Sequence, residues 1–153
     1  MNMKCISVSQ PFADLIISGK KTIELRNWNT RFRGEFLIHA PLKIRTDDCK
    51  RLKITKKIIT GAIVGKATIY DVKKYNSIKE LKNDKNFHFA SKELQNKKYG
   101  FMLKNAKQFR IPIPCKGKLG FFDVELPKSI LKNKDIVTDI MDEEYRYQWI
   151  GHH

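Results

Sequence analysis

The sequence predicts an α+β chain, a small β-barrel decorated by helices. Short runs rich in Val, Ile and Thr recur between turn signals, and two or three amphipathic stretches lie among them. At 153 residues the chain can bury one real core without disulfides or metal, so a single domain over 1–153 is expected. Neither an internal repeat nor a long linker interrupts it.

Each element has a local cause. Lys4 to Val8 alternates as a short strand. Pro11 to Ser18 reads as a helix, with Pro in its first turn, Phe12, Leu15 and Ile16 on one face, and Gly19 suited to a left-handed stop. Thr22 to Arg26 and Glu35 to His39 read as strands with a loop over 27–34 between them. Thr46 to Lys57 reads as a basic amphipathic helix, capped by Thr46, with Asp47 and Asp48 in its first turn. Ala62 to Val72 is a long strand rich in Val, Ile and Thr. Ser77 and Glu80 are spaced as a capping box for a helix, and 82–98 reads as a Lys- and Asn-rich surface loop with a short helical turn. Two strands follow, Tyr99 to Leu103 and Phe109 to Ile113, the second held to an edge or irregular position by Pro112 and Pro114. A turn over Gly117 to Gly120 leads into a strand from Phe121 to Leu126, and a last short helix is expected near Ile136 to Trp149.

Lysine and arginine number 31 against 16 acids, a net charge of +15. Each cation set against a phosphate releases counterions, so the imbalance favours a polyanionic partner. A lysine-rich surface would give the same imbalance, and lysine far outnumbers arginine here. The arginines are therefore more informative, and Arg26, Arg31 and Arg33 fall within eight residues. Cys5, Cys49 and Cys115 are too widely spaced for a disulfide framework or a zinc pattern, and His39, His88, His152 and His153 add no metal spacing. No metal and no cofactor are expected. No apolar run approaches the roughly 18 residues of a membrane span. The start, Met1 to Cys5, lacks the apolar core of a secretion signal, so a cytoplasmic chain is expected, or a nuclear one in a eukaryote.

The densest chemistry lies in residues 9–40. Two lysines, Lys20 and Lys21, follow the Gly19 stop, and the strand after them carries Thr22, Glu24 and Arg26 on one face, with Ile23 and Leu25 on the core face. Glu24 and Arg26 make either a solvated ion pair worth under about 1 kcal/mol or a base or sugar site. In the latter, Arg26 donates its planar fork and Glu24 accepts from an amino group. Lys21 either satisfies the last helix carbonyls or, desolvated, serves as a phosphate contact, base or nucleophile. Trp28 either stacks on a base or packs across the barrel mouth. Arg31 and Arg33 flank Phe32, the basic and aromatic interleaving of nucleic-acid surfaces, or they form a solvated loop. Gln10 caps the helix or reads a base edge. His39 reads as a satisfied structural histidine. The run from Lys50 to Lys57 is a solvated helix face or a surface that tracks phosphates.

Gln10-Pro11-Phe12-Ala13, then Gly19-Lys20-Lys21-Thr22-Ile23-Glu24-Leu25-Arg26, then Trp28 and Arg33-Gly34, together resemble the ASCH domain family. Ile111 to Gly120 is similar to the family's closing segment. The resemblance covers about 4–126 and leaves 127–153 as an extension. It implies a PUA-like mixed β-barrel with helices at its mouth, related to modules that bind RNA or modified bases, and a cleft formed by the 19–26 region. One branch of the family hydrolyses acetylated cytidine with a lysine, a threonine and a distant glutamate. Lys21 matches that lysine. Glu24 stands at the threonine's place, with Thr22 one step away, and only Asp71 and Glu80 are loose candidates for the glutamate. The Glu24 form resembles the coactivator-type branch, for which the resemblance implies nucleic-acid binding.

The expected function is therefore nucleic-acid binding, RNA rather than DNA, through Gln10, Lys20, Lys21, Thr22, Glu24, Arg26, Trp28, Arg31 and Arg33. Two other classes fit the same residues. One is a hydrolase of modified nucleosides, or a ribonuclease, with Lys21 as nucleophile or base and Glu24 as proton carrier. The other is a coactivator-like protein-interaction module. The enzyme requires Lys21 within hydrogen-bond reach of a carboxylate; the interaction module requires an exposed apolar patch.

Overall fold

The computed structural model describes residues 2–92 and 96–126. Ten elements lie among them: β1 (Asn2–Ser7), α1 (Phe12–Ile17), β2 (Ile23–Arg26), β3 (Gly34–Ala40), α2 (Thr46–Arg51), β4 (Ala62–Lys74), α3 (Ile78–Asn83), α4 (Lys85–His88), β5 (Tyr99–Pro114) and β6 (Phe121–Glu125). The expected helix near 136–149 lies outside the described residues. The strands form one mixed sheet in the order β2-β5-β4-β3-β1-β6, with β1 and β3 parallel and every other pair antiparallel. The architecture is the α+β, PUA-like one, with one qualification. The edge strands β2 and β6 are not hydrogen-bonded to each other, so side chains close the barrel.

Three apolar clusters explain why the central strands lack clean alternation. Ile6, Phe36, Ile38, Val64, Ile69 and Phe101 face the main core, against Phe12 and Ile16 of α1. Cys5, Leu37, Ile63 and Phe109 face a second cluster closed by Phe122 and Leu126. Both faces of β1, β3 and β4 are thus covered, and Phe36 to Ala40 runs on as five buried residues in a row. A third cluster places Ile23 and Leu25 beneath α3, with Tyr75, Leu81 and Ala90.

Local signals set most boundaries. Gly19 stops α1 at φ +85°, and its N–H donates to the Ile16 carbonyl. Ser77 accepts from the Glu80 N–H while the Glu80 carboxylate accepts from the Asn76 N–H, a reciprocal cap. Three expectations are corrected. The helix from Thr46 ends at Arg51, not Lys57, because Lys53 turns left-handed at φ 56°. Lys53 N–H then bonds the Lys50 carbonyl and Ile54 N–H the Cys49 carbonyl, a closing pattern more usual with glycine. Thr46 is the first helical residue rather than its cap. The two strands expected over 99–103 and 109–113 are one, β5, kept continuous across register shifts opposite β4. Its Pro-containing end pairs only with β4, since β2 covers just Tyr99 to Met102, so the prolines leave no ladder bond unmade.

Gly65 marks one of those shifts, at the point where α1 lies on the sheet. A Cβ there would stand 2.3 Å from the Lys107 carbonyl oxygen and 2.7 Å from Ile17 Cγ2. Because the first obstacle is backbone, Gly65→Ala should destabilise the fold by about 2–3 kcal/mol. Urea unfolding monitored by circular dichroism checks this; an unchanged midpoint would show that the β4–β5 pair can spread.

Candidate functional site

The turn after α1 delivers Lys21 into the protein interior. Its backbone N–H is held by the Leu15 carbonyl, and its side chain is only 3% exposed. Nζ donates to the carbonyls of Ile23 and His88 and lies 3.2 Å from Glu24 Oε1. All three ammonium protons therefore have acceptors. Burial pushes the Lys21 pKa below its ordinary value, and the Glu24 carboxylate pulls against that shift. The Phe12 ring lies 5.5 Å from the ammonium.

Glu24 lies between two cations. Its Oε2 is 2.7 Å from Arg26 Nη2 and accepts from Arg26 Nε at 3.0 Å. Burial acts to raise the Glu24 pKa, but Arg26 and Lys21 outweigh it and hold the carboxyl below its usual value. Arg26 reaches further, donating from Nη2 to the Ser7 carbonyl at 2.7 Å, and so bridges edge strand β2 to β1. The alternation expected for this strand holds, but the Glu24 face is buried rather than solvated. The pair is a buried Lys–Glu–Arg triad, not a surface contact.

His88, at the end of α4, supports the triad through its backbone. Its carbonyl accepts from Lys21 while its ring is fully buried. The Ala90 N–H donates to Nδ1 at 2.9 Å, so Nε2 carries the proton and donates to the Leu81 carbonyl at 2.8 Å. Burial, above all, lowers the pKa of this ring.

These groups form the floor of a cleft of about 190 Å³ whose walls include Val8, Phe12 and Ala90 and whose lining adds Ser7, Ser9, Arg45 and Lys97. Of the sequence-derived candidates, Lys21, Glu24 and Arg26 meet there. Gln10 does not line it. Its amide donates to Asp14 and to the Ile59 carbonyl and accepts from the Asp14 N–H, an internal cap. Lys20 is exposed outside the cleft, and Thr22 joins the neighbouring backbone, its N–H to Phe87 and its carbonyl to Leu103. Trp28 packs edge-on to Phe101 and Phe121, ring centres 5.2 and 5.5 Å away, and ties the end of β2 to β6. Arg31 is exposed, and Arg33 bonds its own loop and lies 3.9 Å from Asp71. Asp71 and Glu80 do not line the cleft; Glu80 closes the α3 cap. His39 is satisfied structurally, between Ser7 Oγ and the Cys115 carbonyl. Among the described residues no group of side chains could hold a metal.

The reading of the sequence missed Arg45, His88 and Lys97. They come from three distant segments. Arg45, beside the acidic opening of α2, was the one position a local signal could have marked.

The family model for the ASCH domain matches residues 6–113. Activating signal cointegrator 1 of Homo sapiens is 27% identical over 126 residues; the match takes in 74% of this chain and 21% of that protein. The chain therefore spans about a fifth of that relative's length. The crystal structure of ASCH from Zymomonas mobilis superposes with a TM-score of 0.54 at 19% identity, covering 82% of this chain and 88% of the other. A serine-to-alanine variant of that protein gives 0.53 at 20% identity, covering 82% and 88%. These structures are similar in fold.

The buried charges set stability in two testable ways. Glu24→Gln would leave Lys21 and Arg26 without their shared anion and should destabilise the protein by about 3 kcal/mol. Lys4→Gln, which breaks the surface pair with Asp123, should change stability by less than about 1 kcal/mol. Equal midpoints for the two variants in chemical denaturation would refute the difference. The second concerns pH. His88 is neutral in the fold, whereas the unfolded chain takes up that proton near 6.5. Stability from neutral His88 is thus fully present above pH 6.5 and is lost as pH falls below it, by up to about 1.4 kcal/mol per pH unit. His88→Gln should flatten that slope in melts between pH 7 and 5; an unaltered slope would assign it to other groups.

Proposed function

The chain belongs to the ASCH domain family, and on that premise we propose that it binds nucleic acid, RNA in preference to DNA, with one base held in the Lys21–Glu24–Arg26 cleft. One observation carries this reading: a buried, hydrogen-bonded charge triad forms the floor of a small cleft in a chain of net charge +15. The volume, about 190 Å³, suits a single planar base rather than a drug-sized ligand, which needs about 300 Å³ or more. Glu24 accepts from a base amino group and Arg26 donates to a ring acceptor, while Phe12 and Val8 supply apolar walls. Both polar partners are fixed before the ligand arrives, so little ordering opposes binding. Arg45 and Lys97 line the same cleft and meet the sugar–phosphate chain. Lys20, Arg31, Arg33 and the Lys50 to Lys57 segment lie outside it and contribute long-range attraction.

A second reading, hydrolysis of an acetylated or otherwise modified nucleoside, draws on the 3.2 Å between Lys21 Nζ and Glu24 Oε1. A nucleophilic lysine needs a free lone pair, however, and this ammonium donates to three acceptors. Binding without turnover is therefore the preferred reading. A third, a protein-interaction module, draws on a groove beside Pro41 and Pro114 that carries the exposed Leu42 and Leu119.

Affinity for single-stranded RNA should fall with salt at a log–log slope near −0.7 per phosphate contacted, and Arg26→Lys should weaken it about tenfold while the protein stays folded. Titrations against RNA, single-stranded DNA and duplex DNA from about 50 to 300 mM salt check both. A flat salt response would remove the nucleic-acid reading. Acetate released from acetylated cytidine by the wild type and not by Lys21→Ala would establish the hydrolase instead.

A further inference from the structure

Beside the cleft runs a second groove, of about 480 Å³, and the two share Arg45. The chain that leaves the cleft at Ala90 lines this groove with Ser91 and Lys92. Its centre is Asp48, whose side chain is 4% exposed. Asp48 Oδ2 accepts from Arg45 Nε at 2.7 Å, and Oδ1 accepts from Arg51 Nε and Nη2 at 3.2 and 3.0 Å. Arg51 Nη2 also donates to the Phe89 carbonyl. One buried carboxylate therefore fixes two guanidinium groups that remain 35% and 39% exposed. Arg45 is held through Nε, and Arg51 through Nε and Nη2, which leaves Arg45 Nη1 and Nη2 and Arg51 Nη1 clear of protein partners among the described residues. Ser91 Oγ is buried at the same place and has no hydrogen-bond partner among the described residues.

A free fork on Arg45 beside a free Nη1 on Arg51 is poor at holding a neutral ligand and well suited to phosphate oxygens. Among the described residues that line the groove, four cations stand against Asp47 and Asp48, and Asp48 is already neutralised by its two arginines. A buried hydroxyl without a partner adds a donor for an anionic oxygen. Continuity with the cleft through Arg45 sets the direction.

We infer that this groove binds the backbone phosphates next to the base in the cleft, so that the ligand is a single-stranded polynucleotide and not a free nucleoside. Arg45 contacts the phosphate at the junction. Arg51, Ser91 and Lys92 contact the following one. This rests on the reading of the cleft as a base site. It also moves the phosphate contacts away from Arg31 and Arg33, which the fold puts elsewhere.

The test compares wild type, Arg51→Gln/Lys92→Gln, Lys43→Gln/Lys92→Gln and Arg26→Lys. The Lys43→Gln/Lys92→Gln variant replaces two exposed lysines for which no described residue provides a partner, so its folding is secure. Probes are a fluorescein-labelled 12-nucleotide RNA of random sequence, a mixture of the four nucleoside 5′-monophosphates, and polyglutamate as competitor. Both groove variants should bind the 12-mer about five- to tenfold more weakly at about 100 mM salt, with a log–log salt slope shallower by about 0.7 for each phosphate they no longer reach. Monophosphate binding should stay within about twofold of wild type, because a lone nucleotide does not extend into the groove. Arg26→Lys should weaken both nucleotide probes. If Arg26→Lys weakens both but the folded groove variants bind the 12-mer like wild type, the groove is not a phosphate site and the inference falls alone. If wild type binds neither nucleotide probe at low salt, or Arg26→Lys changes nothing, the cleft reading fails and the inference with it. Polyglutamate that displaces the 12-mer as well as unlabelled RNA of equal charge would overturn the inference in favour of an acidic protein partner.

Discussion

The buried Lys21–Glu24–Arg26 triad is the interaction on which the rest of this structure depends. Glu24 is the only anion in it, and each of its oxygens faces a different cation. Through Lys21 it holds the carbonyl of His88 and so anchors α4. Through Arg26 it reaches the carbonyl of Ser7 and so anchors β1. A hydrophobic cluster could bury the same volume and would often be as stable. It could not fix three chain segments by directional bonds while presenting charge to a cleft.

The same residues complete the barrel. No ladder of backbone bonds joins β2 to β6, so the sheet is left open along one seam. Arg26 crosses that seam by a hydrogen bond, and Trp28 crosses it by packing on Phe121. The cleft lies beside β2, between its Glu24–Arg26 face and the end of β1 at Ser7. Floor and closure are thus one set of side chains, and substitutions in the floor act on stability as well as on the shape of the cleft. Experiments on these residues need a stability measurement beside every binding curve.

Charge works at two ranges in this protein. The excess of cations over acids acts at a distance and is screened by salt. The triad and the Asp48-centred pairs act at contact, the triad largely shielded from salt by burial and the two arginines on Asp48 more open to it. Lysines that are merely exposed serve the first range. Arginines with part of their guanidinium already engaged serve the second, because a guanidinium has donors to spare. A lysine whose three protons all have acceptors, as in Lys21, ties its neighbours together by directional bonds.

The sequence by itself determined the α+β class, the Gly19 stop, the Ser77–Glu80 cap, most strands, and the segment from Lys21 to Arg26 as the place where chemistry gathers. Those signals are local: a left-handed glycine, a capping spacing, an alternating strand. Tertiary structure decided the rest. Only packing beneath α3 and α4 shows that both faces of β2 are covered, which decides between a solvated Glu24–Arg26 pair and a buried one and adds Lys21 to it. Only the fold brings Arg45, His88 and Lys97 to residues some 20 to 75 positions away. It also engages Gln10 in an internal cap and Trp28 in the barrel seam, although both carried the residue chemistry of a ligand site. A side chain's type is written in the sequence, but its solvation and its partners depend on long-range contacts, and those determine which charges are left to meet a ligand.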